Sequence, residues 1–405
     1  MRVLVRVVPL LLVALSLVLL LAPRRSQGVP LYAARTGLMC QSCHFDPNGG
    51  GPRNEFGFAY AKNRHMIAPE DSTSHWKDLT LTNRVGENMP VYLGVNQRFM
   101  LLDNQHTNVD RLERLGFFNM ENAIHIAFQP HDRLTLVYTM DGFATGPSNF
   151  VRSKEAFGMI GGLPWNGYVK AGRLRVPFGL RMDDHTVATR DGFGEFGTGG
   201  STQTGNSFLP YDPRFPDMGV EVGMDKGGWF GRASFTDGRS SIFTPDGHAE
   251  AKAIKLGYNM SSYQGGISLY DDFAKSGTTP LERFTRWGYY GMTHVGPVAL
   301  LGEIAAGTDE DKTTGLKKNS LAAFAEVNWA IRREYNMRIR YDRAELDRSS
   351  ILAVRDANTF SRYAIEGEWV PVPFAELRWV YRYLDAKDPM IPDERQGYLQ
   401  FHFSY

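Results

Sequence analysis

The stretch Tyr398-Leu399-Gln400-Phe401-His402-Phe403-Ser404-Tyr405 alternates strictly between two kinds of residue. One set is apolar or aromatic and the other is more polar: the first comprises Leu399, Phe401, Phe403 and Tyr405, and the second Tyr398, Gln400, His402 and Ser404. Since successive side chains of a β-strand point to opposite faces, the pattern predicts a strand with one apolar and one polar face. A soluble sheet also alternates, so the number of strands and their connections must decide the fold class.

Comparable alternation returns throughout the chain from Val91 onward. It predicts sixteen strands, at 91–102, 118–128, 133–141, 155–162, 166–175, 217–225, 228–237, 250–260, 263–272, 284–293, 296–305, 321–332, 335–345, 359–370, 374–385 and 395–405. Tight turns alternate with long loops, the longest of which lies between Val176 and Pro216. Short turns on one side and long loops on the other are typical of outer-membrane barrels. The sequence therefore predicts an all-β, 16-stranded transmembrane outer-membrane β-barrel rather than a β-sandwich.

The alternation also predicts which way the side chains of the barrel point. The apolar residues of each strand should contact the lipid of the outer membrane, and the charged residues should face the lumen. We expect both ends of the barrel to face the periplasm and the long loops to face outside. A barrel of this strand number is wide enough for an aqueous channel, and a small N-terminal unit has a suitable size to enter it as a plug.

Both cysteines of the chain lie in the stretch Cys40-Gln41-Ser42-Cys43-His44. Two thiols at this spacing followed by a histidine are the pattern for covalent attachment of one haem c, in which each thiol bonds a porphyrin vinyl group. The adjacent His44 then ligates the iron on the proximal side. A redox dithiol, a zinc site and a strained disulfide are the alternatives, although no second pair of zinc ligands is visible at close spacing.

The sixth position of the haem iron has several candidate ligands. His65 ranks first because it lies at the end of a helix predicted over 55–66 and can turn back over the ring. Met66 ranks second, and the remaining candidates are His75, Met89 and Met39. A five-coordinate iron is the alternative.

The beginning of the sequence predicts export. Residues 1–28 contain Arg2 and Arg6, then an apolar run from Val7 to Ala22, and thus read as a signal peptide. The domain prediction is a signal peptide at 1–28, a mostly α/coil monohaem cytochrome domain at 29–88 and the barrel at 89–405. A formal net charge of +1 and the lack of a basic run give no reason to expect nucleic acid as a partner.

Two further stretches carry a resemblance to known proteins. Around the haem motif, Ala34-Arg35-Thr36-Gly37-Leu38-Met39 precedes Cys40 and Asn54-Glu55-Phe56-Gly57 follows it. With these stretches the chain resembles the fused monohaem cytochrome–porins of bacterial outer membranes, whose best-known members are iron-oxidising cytochromes. It departs from their pattern where Arg35 directly precedes Thr36 and at the extra glycines Gly49–Gly51.

The resemblance implies an electron conduit more than a conventional enzyme, although an iron oxidase-type activity remains open. Its expected partners are a periplasmic c-type cytochrome or other electron carrier, and an extracellular metal ion such as Fe(II) or another redox partner. The alternative is a solute-transporting porin with a haem-bearing gating or docking module. The stretch Gly172-Arg173-Leu174-Arg175-Val176-Pro177-Phe178-Gly179 resembles anion-selective porins and favours this alternative.

Two acidic stretches are candidate sites for attracting metal cations at the outer face. They are Asp183-Asp184-His185 and Asp309-Glu310-Asp311, both expected in loops. Carboxylate and imidazole groups suit ferrous iron. The alternative is that these side chains are simply solvated.

Overall fold

The computed structural model describes residues 30–67, 74–86, 89–106, 114–142, 152–182, 184, 186–190, 207–211, 213, 216–238, 251–260, 262–276, 279–388 and 393–405. The predicted signal peptide at 1–28, and Asp183 and His185 of the first acidic stretch, lie outside the described residues.

Sixteen strands form one closed antiparallel barrel in which each strand pairs with its neighbours in sequence. They are β1 Val91–His106, β2 Arg114–His131, β3 Leu134–Asp141, β4 Arg152–Leu163, β5 Gly167–Leu174, β6 Asp217–Lys226, β7 Trp229–Thr236, β8 Ala251–Asn259, β9 Tyr263–Ser276, β10 Thr279–Val295, β11 Val298–Asp311, β12 Lys317–Ala330, β13 Tyr335–Glu345, β14 Thr359–Val372, β15 Ala375–Ala386 and β16 Glu394–Ser404. The barrel closes between β1 and β16, where Phe99 lies opposite Phe401 and Arg98 opposite His402. The predicted fold class and strand number are confirmed.

The outward and inward faces also follow the prediction. On β16, Phe401 and Phe403 are exposed, whereas Gln400 and Ser404 on either side of them are buried in the lumen. The same alternation runs along β13, where Ile339 is exposed and its neighbours Arg338 and Arg340 are buried. The apolar side chains thus cover the outside of the barrel and the charged ones line its interior.

Two connections predicted as long loops are mostly strand. The hairpin of β9 and β10 extends from Asp272 and Phe284 to Ser276 and Thr279, and β11 and β12 likewise extend to Asp311 and Lys317. Charged side chains support these extensions: Arg283 on β10 donates to Asp271 on β9 at 2.8 Å. Because cross-strand ion pairs and the backbone ladder continue, the strands extend beyond the apolar stretch that the sequence identified.

The helices of the described residues are short. They are α1 Pro30–Thr36, α2 Glu55–Lys62 and α3 Leu352–Ala357, with a 3-10 turn at Cys40–Ser42. Within the described residues no helix has the length and apolar character needed to cross a membrane.

The N-terminal segment, defined here as the described residues between 30 and 86, packs in part against the inner wall of the barrel, although side chains such as Trp76 and Leu81 are exposed. Asp46 bonds Lys170 on β5, whereas Arg35 bonds Asn328 on β12. Since β5 and β12 lie on opposite sides of the closed sheet, a segment that reaches both crosses the lumen. Arg64 pairs at 3.0 Å with Glu334 in the turn between β12 and β13, which places the segment at the tight-turn end. The predicted boundary between residues 88 and 89 stays a prediction.

The described part of the longest connection, between β5 and β6, comprises residues 176–182, 184, 186–190 and 207–211. These residues fold into the lumen, where Phe178 is fully buried. The Gly179 N–H donates to Ser268 on β9 at 2.9 Å, and the Leu180 N–H donates to Glu303 on β11 at 2.7 Å. The reason is chemical: the connection carries apolar side chains and Arg190, which find apolar neighbours and a buried carboxylate partner inside the barrel.

Candidate functional site

The cysteine and histidine residues of the proposed haem motif share one tight turn. The N–H groups of Cys43 and His44 both donate to the Cys40 carbonyl, at 3.1 and 3.0 Å. Both cysteines are free thiols, so the disulfide alternative is absent from the structure. Burial raises the pKa of Cys43 to about 11, so its thiol is protonated at neutral pH. Within the described residues, no group of three or more His, Cys, Asp or Glu side chains is placed to hold a metal ion.

Two glycines and the start of α2 pack closely against this turn. Gly49 has a left-handed φ of +86°, and a Cβ there would lie 3.3 Å from the Cys40 sulfur. A Cβ at Gly57 would overlap the Cys43 carbonyl oxygen, so only glycine allows α2 to approach the turn. Asn54 caps α2 by accepting from the Gly57 N–H at 2.9 Å, and its own N–H donates to Cys43. Two thiols and an imidazole on one turn, packed among glycines, fit a covalently attached haem.

A buried ionic cluster fixes the chain directly after the motif to the barrel wall. Lys170 on β5 donates to Asp46 at 3.0 Å and lies 3.2 Å from Glu221 on β6. Asn48 and Tyr168 both donate to Glu221, at 2.8 and 2.6 Å. The Lys170 cation and the two hydrogen-bond donors are the partners of the buried Asp46 and Glu221 carboxylates. Buried charges require such partners. Sequence reasoning missed these residues, although Lys170 and Glu221 are charged residues at inward-facing strand positions.

His65 is held inside the N-terminal segment. α2 ends at Lys62 rather than continuing to Met66 as predicted, because Arg64 and His65 adopt left-handed φ values of 53° and 61°. The chain therefore reverses, and the His65 N–H donates to the Tyr60 carbonyl at 3.0 Å. Burial lowers the pKa of His65 to about 3, so its imidazole is neutral, which is the form that ligates metals.

The other candidates for the sixth position differ in exposure. His75 and Met89 are exposed, whereas Met66 and Met39 are partly exposed, as is His65. Their ligation, like that of His65, stays a prediction.

Described carboxylates of the two acidic stretches are engaged in ion pairs. Asp309, Glu310 and Asp311 lie on β11 rather than in a loop, which corrects the sequence prediction. Asp309 pairs with Arg286 at 2.6 Å, and Glu310 pairs with Lys312 at 2.9 Å. Asp184 pairs with Arg181 at 2.8 Å. These carboxylates serve local ion pairs in the structure.

The comparisons with known proteins define the class of fold. No protein-family model matches the chain, and no curated protein matches its sequence. Among solved structures, the barrel has the fold of the outer-membrane porins. The anion-selective porin from Comamonas acidovorans has a TM-score of 0.60 at 11% identity, covering 78% of this chain and 99% of the porin.

Two further porin-type structures agree with this fold. The outer membrane channel DcaP of Acinetobacter baumannii has a TM-score of 0.56 at 12% identity, covering 78% of this chain and 97% of DcaP. OprB of Pseudomonas putida has a TM-score of 0.55 at 9% identity, covering 78% of this chain and 94% of OprB. Identities this low establish the shared fold alone.

Proposed function

We propose that this chain is an outer-membrane electron-transfer protein, a porin-fold barrel that carries one covalent haem c in its lumen. One observation carries the proposal: the only two cysteines of the chain and His44 share a single turn inside a closed barrel. The buried cluster around Lys170 fixes that turn to the wall. An exposed haem motif on a flexible tail would need no such anchor.

Each residue of the turn has a distinct role in this proposal. Cys40 and Cys43 bond the porphyrin, and His44 supplies the proximal imidazole. When bound, the haem supplies one-electron chemistry. The barrel holds this group within a hydrocarbon layer about 30 Å thick, which a single haem does not span by itself. A periplasmic c-type cytochrome or other carrier then exchanges electrons at the tight-turn end, and an extracellular donor or acceptor, such as Fe(II), at the other.

A solute channel is the second candidate function. It is favoured by the likeness in fold to the anion-selective porin. Part of the N-terminal segment and the described residues of the connection between β5 and β6 both lie in the lumen, and both are held there by buried ion pairs. In this candidate function, the haem-bearing segment acts as a gate or docking module.

Haem attachment is tested with the double variant Cys40→Ala/Cys43→Ala. It should still assemble as a heat-modifiable barrel in the outer membrane, but it should lose the haem stain that survives denaturing electrophoresis. Ser42→Ala, in the same turn, is the matched control and should keep the stain. A wild-type protein that assembles with haem available and never stains overturns the proposal.

A second measurement separates the two candidate functions. Intact cells are treated with a membrane-impermeant reductant, and the haem spectrum is followed. If the impermeant reductant reduces the haem only in cells that contain the barrel protein, the result supports electron transfer. Solute flux through protein-containing liposomes, with a haem that no external donor reduces, supports the channel instead.

A further inference from the structure

Tyr32 and His65 form a hydrogen-bonded pair between the two helical parts of the N-terminal segment. The Tyr32 hydroxyl lies 2.7 Å from Nδ1 of His65, and the centroids of the two rings are 4.5 Å apart. The residues are separated by 33 positions in the sequence, so only the folded segment brings them together. The Tyr60 ring also approaches the imidazole, with centroids 5.8 Å apart, but no hydrogen bond joins its hydroxyl to His65.

Tyr32 is itself fixed to the barrel wall. It lies on α1, whose residues Leu31, Ala33 and Ala34 are buried in one apolar cluster with side chains of the wall. The wall residues of that cluster include Phe230, Tyr290, Met292, Leu301 and Phe324. The hydroxyl of Tyr32 therefore has a defined position relative to the barrel.

His65 is fixed from the other side. Its left-handed backbone and the hydrogen bond to the Tyr60 carbonyl set the direction of the side chain. The preceding Arg64 pairs at 3.0 Å with Glu334 in the turn between β12 and β13. Residues on both sides of the imidazole are thus held by the barrel.

The hydrogen bond between Tyr32 and His65 is of the kind that a metal-ligating histidine makes with its second ring nitrogen. A metal-bound histidine uses one ring nitrogen for the metal, while its other N–H usually donates to an acceptor that fixes the tautomer and the ring orientation. In His65 the Nδ1 atom faces the Tyr32 hydroxyl, so Nε2 is the nitrogen available to an iron. α2 connects the turn that contains Cys43 with His65, because its cap Asn54 bonds the Cys43 carbonyl and the helix ends three residues before His65.

We infer that Tyr32 is a positioning residue for His65: its hydroxyl accepts from Nδ1–H of His65, which would leave Nε2 available to ligate a bound haem iron. This inference rests on the proposed haem function and extends it.

The test compares two phenol-removing variants of the haem-loaded protein. Tyr32→Phe should increase the affinity of the reduced haem for carbon monoxide by about 10–100-fold, since loss of an outer partner weakens metal ligation by that factor. It should also shift the Soret band toward that of His65→Ala, in which the site is fully open. Tyr60→Phe is the matched control, because it removes the other neighbouring hydroxyl and should leave both readouts unchanged.

A haem-free measurement checks the pair itself. In the full-length Cys40→Ala/Cys43→Ala protein, Tyr32→Phe should change the ¹⁵N chemical shift of His65 Nδ1, and Tyr60→Phe should not. An unchanged shift in the Tyr32 variant overturns the hydrogen bond on which the inference rests.

The outcomes separate this inference from the proposed function. A wild-type protein without haem stain contradicts the proposed function. A stained wild type in which His65→Ala leaves carbon monoxide binding unchanged, or in which Met66→Ala opens the site instead, overturns the role of His65 and Tyr32. The His65→Ala and Met66→Ala measurements decide this point even if Tyr32→Phe assembles poorly. A stained protein with equal effects of Tyr32→Phe and Tyr60→Phe also overturns it.

Discussion

The outer face of the barrel and its lumen are built from the same strands but obey different rules. Outside, Ile339 on β13 lies opposite Val327 and Ile365 on the neighbouring strands, and all three are apolar and exposed. Any apolar side chain would suit such a position. Inside, Arg190 is fully buried and depends on one carboxylate, that of Glu303, at 2.8 Å. The outer face requires a class of residue, whereas the lumen requires particular partners.

Removing a lumen partner should have the largest effect on stability. Glu303→Gln leaves the Arg190 guanidinium buried without its carboxylate and weakens the bond to the Leu180 N–H. Breaking a buried pair in this way costs about 3–5 kcal/mol. The free energy of unfolding in urea, measured in lipid vesicles, checks the value.

The matched control is the same substitution in an exposed ion pair. Glu310→Gln removes a carboxylate that lies 2.9 Å from Lys312 at the surface, so the free energy of unfolding should stay within error of the wild type. Equal losses in the two variants would mean that burial does not distinguish the lumen pair.

A charge on the lipid face should have the next largest effect. Ile339→Arg places a guanidinium among apolar neighbours in the middle of β13, and near the bilayer midplane this costs about 2–4 kcal/mol. Ile351→Arg is the matched control, because Ile351 has a similar exposure, 63% against 61%, but lies in the connection before α3. Its loss in unfolding free energy should be much smaller. If both variants lose the same free energy, the assignment of the outer face to lipid is wrong.

Overfilling the contact between α2 and the turn should have the smallest of the three effects. Gly57→Ala forces its Cβ into the Cys43 carbonyl, and overpacking of this kind costs about 1–3 kcal/mol. Because the strain is local, limited proteolysis should cleave the N-terminal segment faster while the barrel stays intact. Gly161→Ala on β4, where a Cβ would meet no neighbour within 4 Å, should leave the cleavage rate unchanged. Unchanged cleavage in Gly57→Ala would contradict the close approach of α2.

The sequence by itself predicted the wall and the chemistry of the motif. A period of two residues is a local property, since strand geometry alone sends neighbouring side chains to lipid or to the lumen. All sixteen strands, and the facing of residues such as Phe403 and Gln400, followed from that rule. The turn around Cys40 and Cys43 was equally local, because its residues are adjacent in the chain.

Only the tertiary structure decided which side chains meet in the lumen. The bond between Asp46 and Lys170 joins residues 124 positions apart, and that between Arg190 and Glu303 spans 113 positions. Barrel closure brings such residues together, and no local periodicity records which charge meets which. For the same reason the sequence did not predict that the described residues of the connection between β5 and β6 fold into the lumen, where partners on distant strands hold them. Local pattern fixes the environment of a residue, and closure of the barrel fixes its partner.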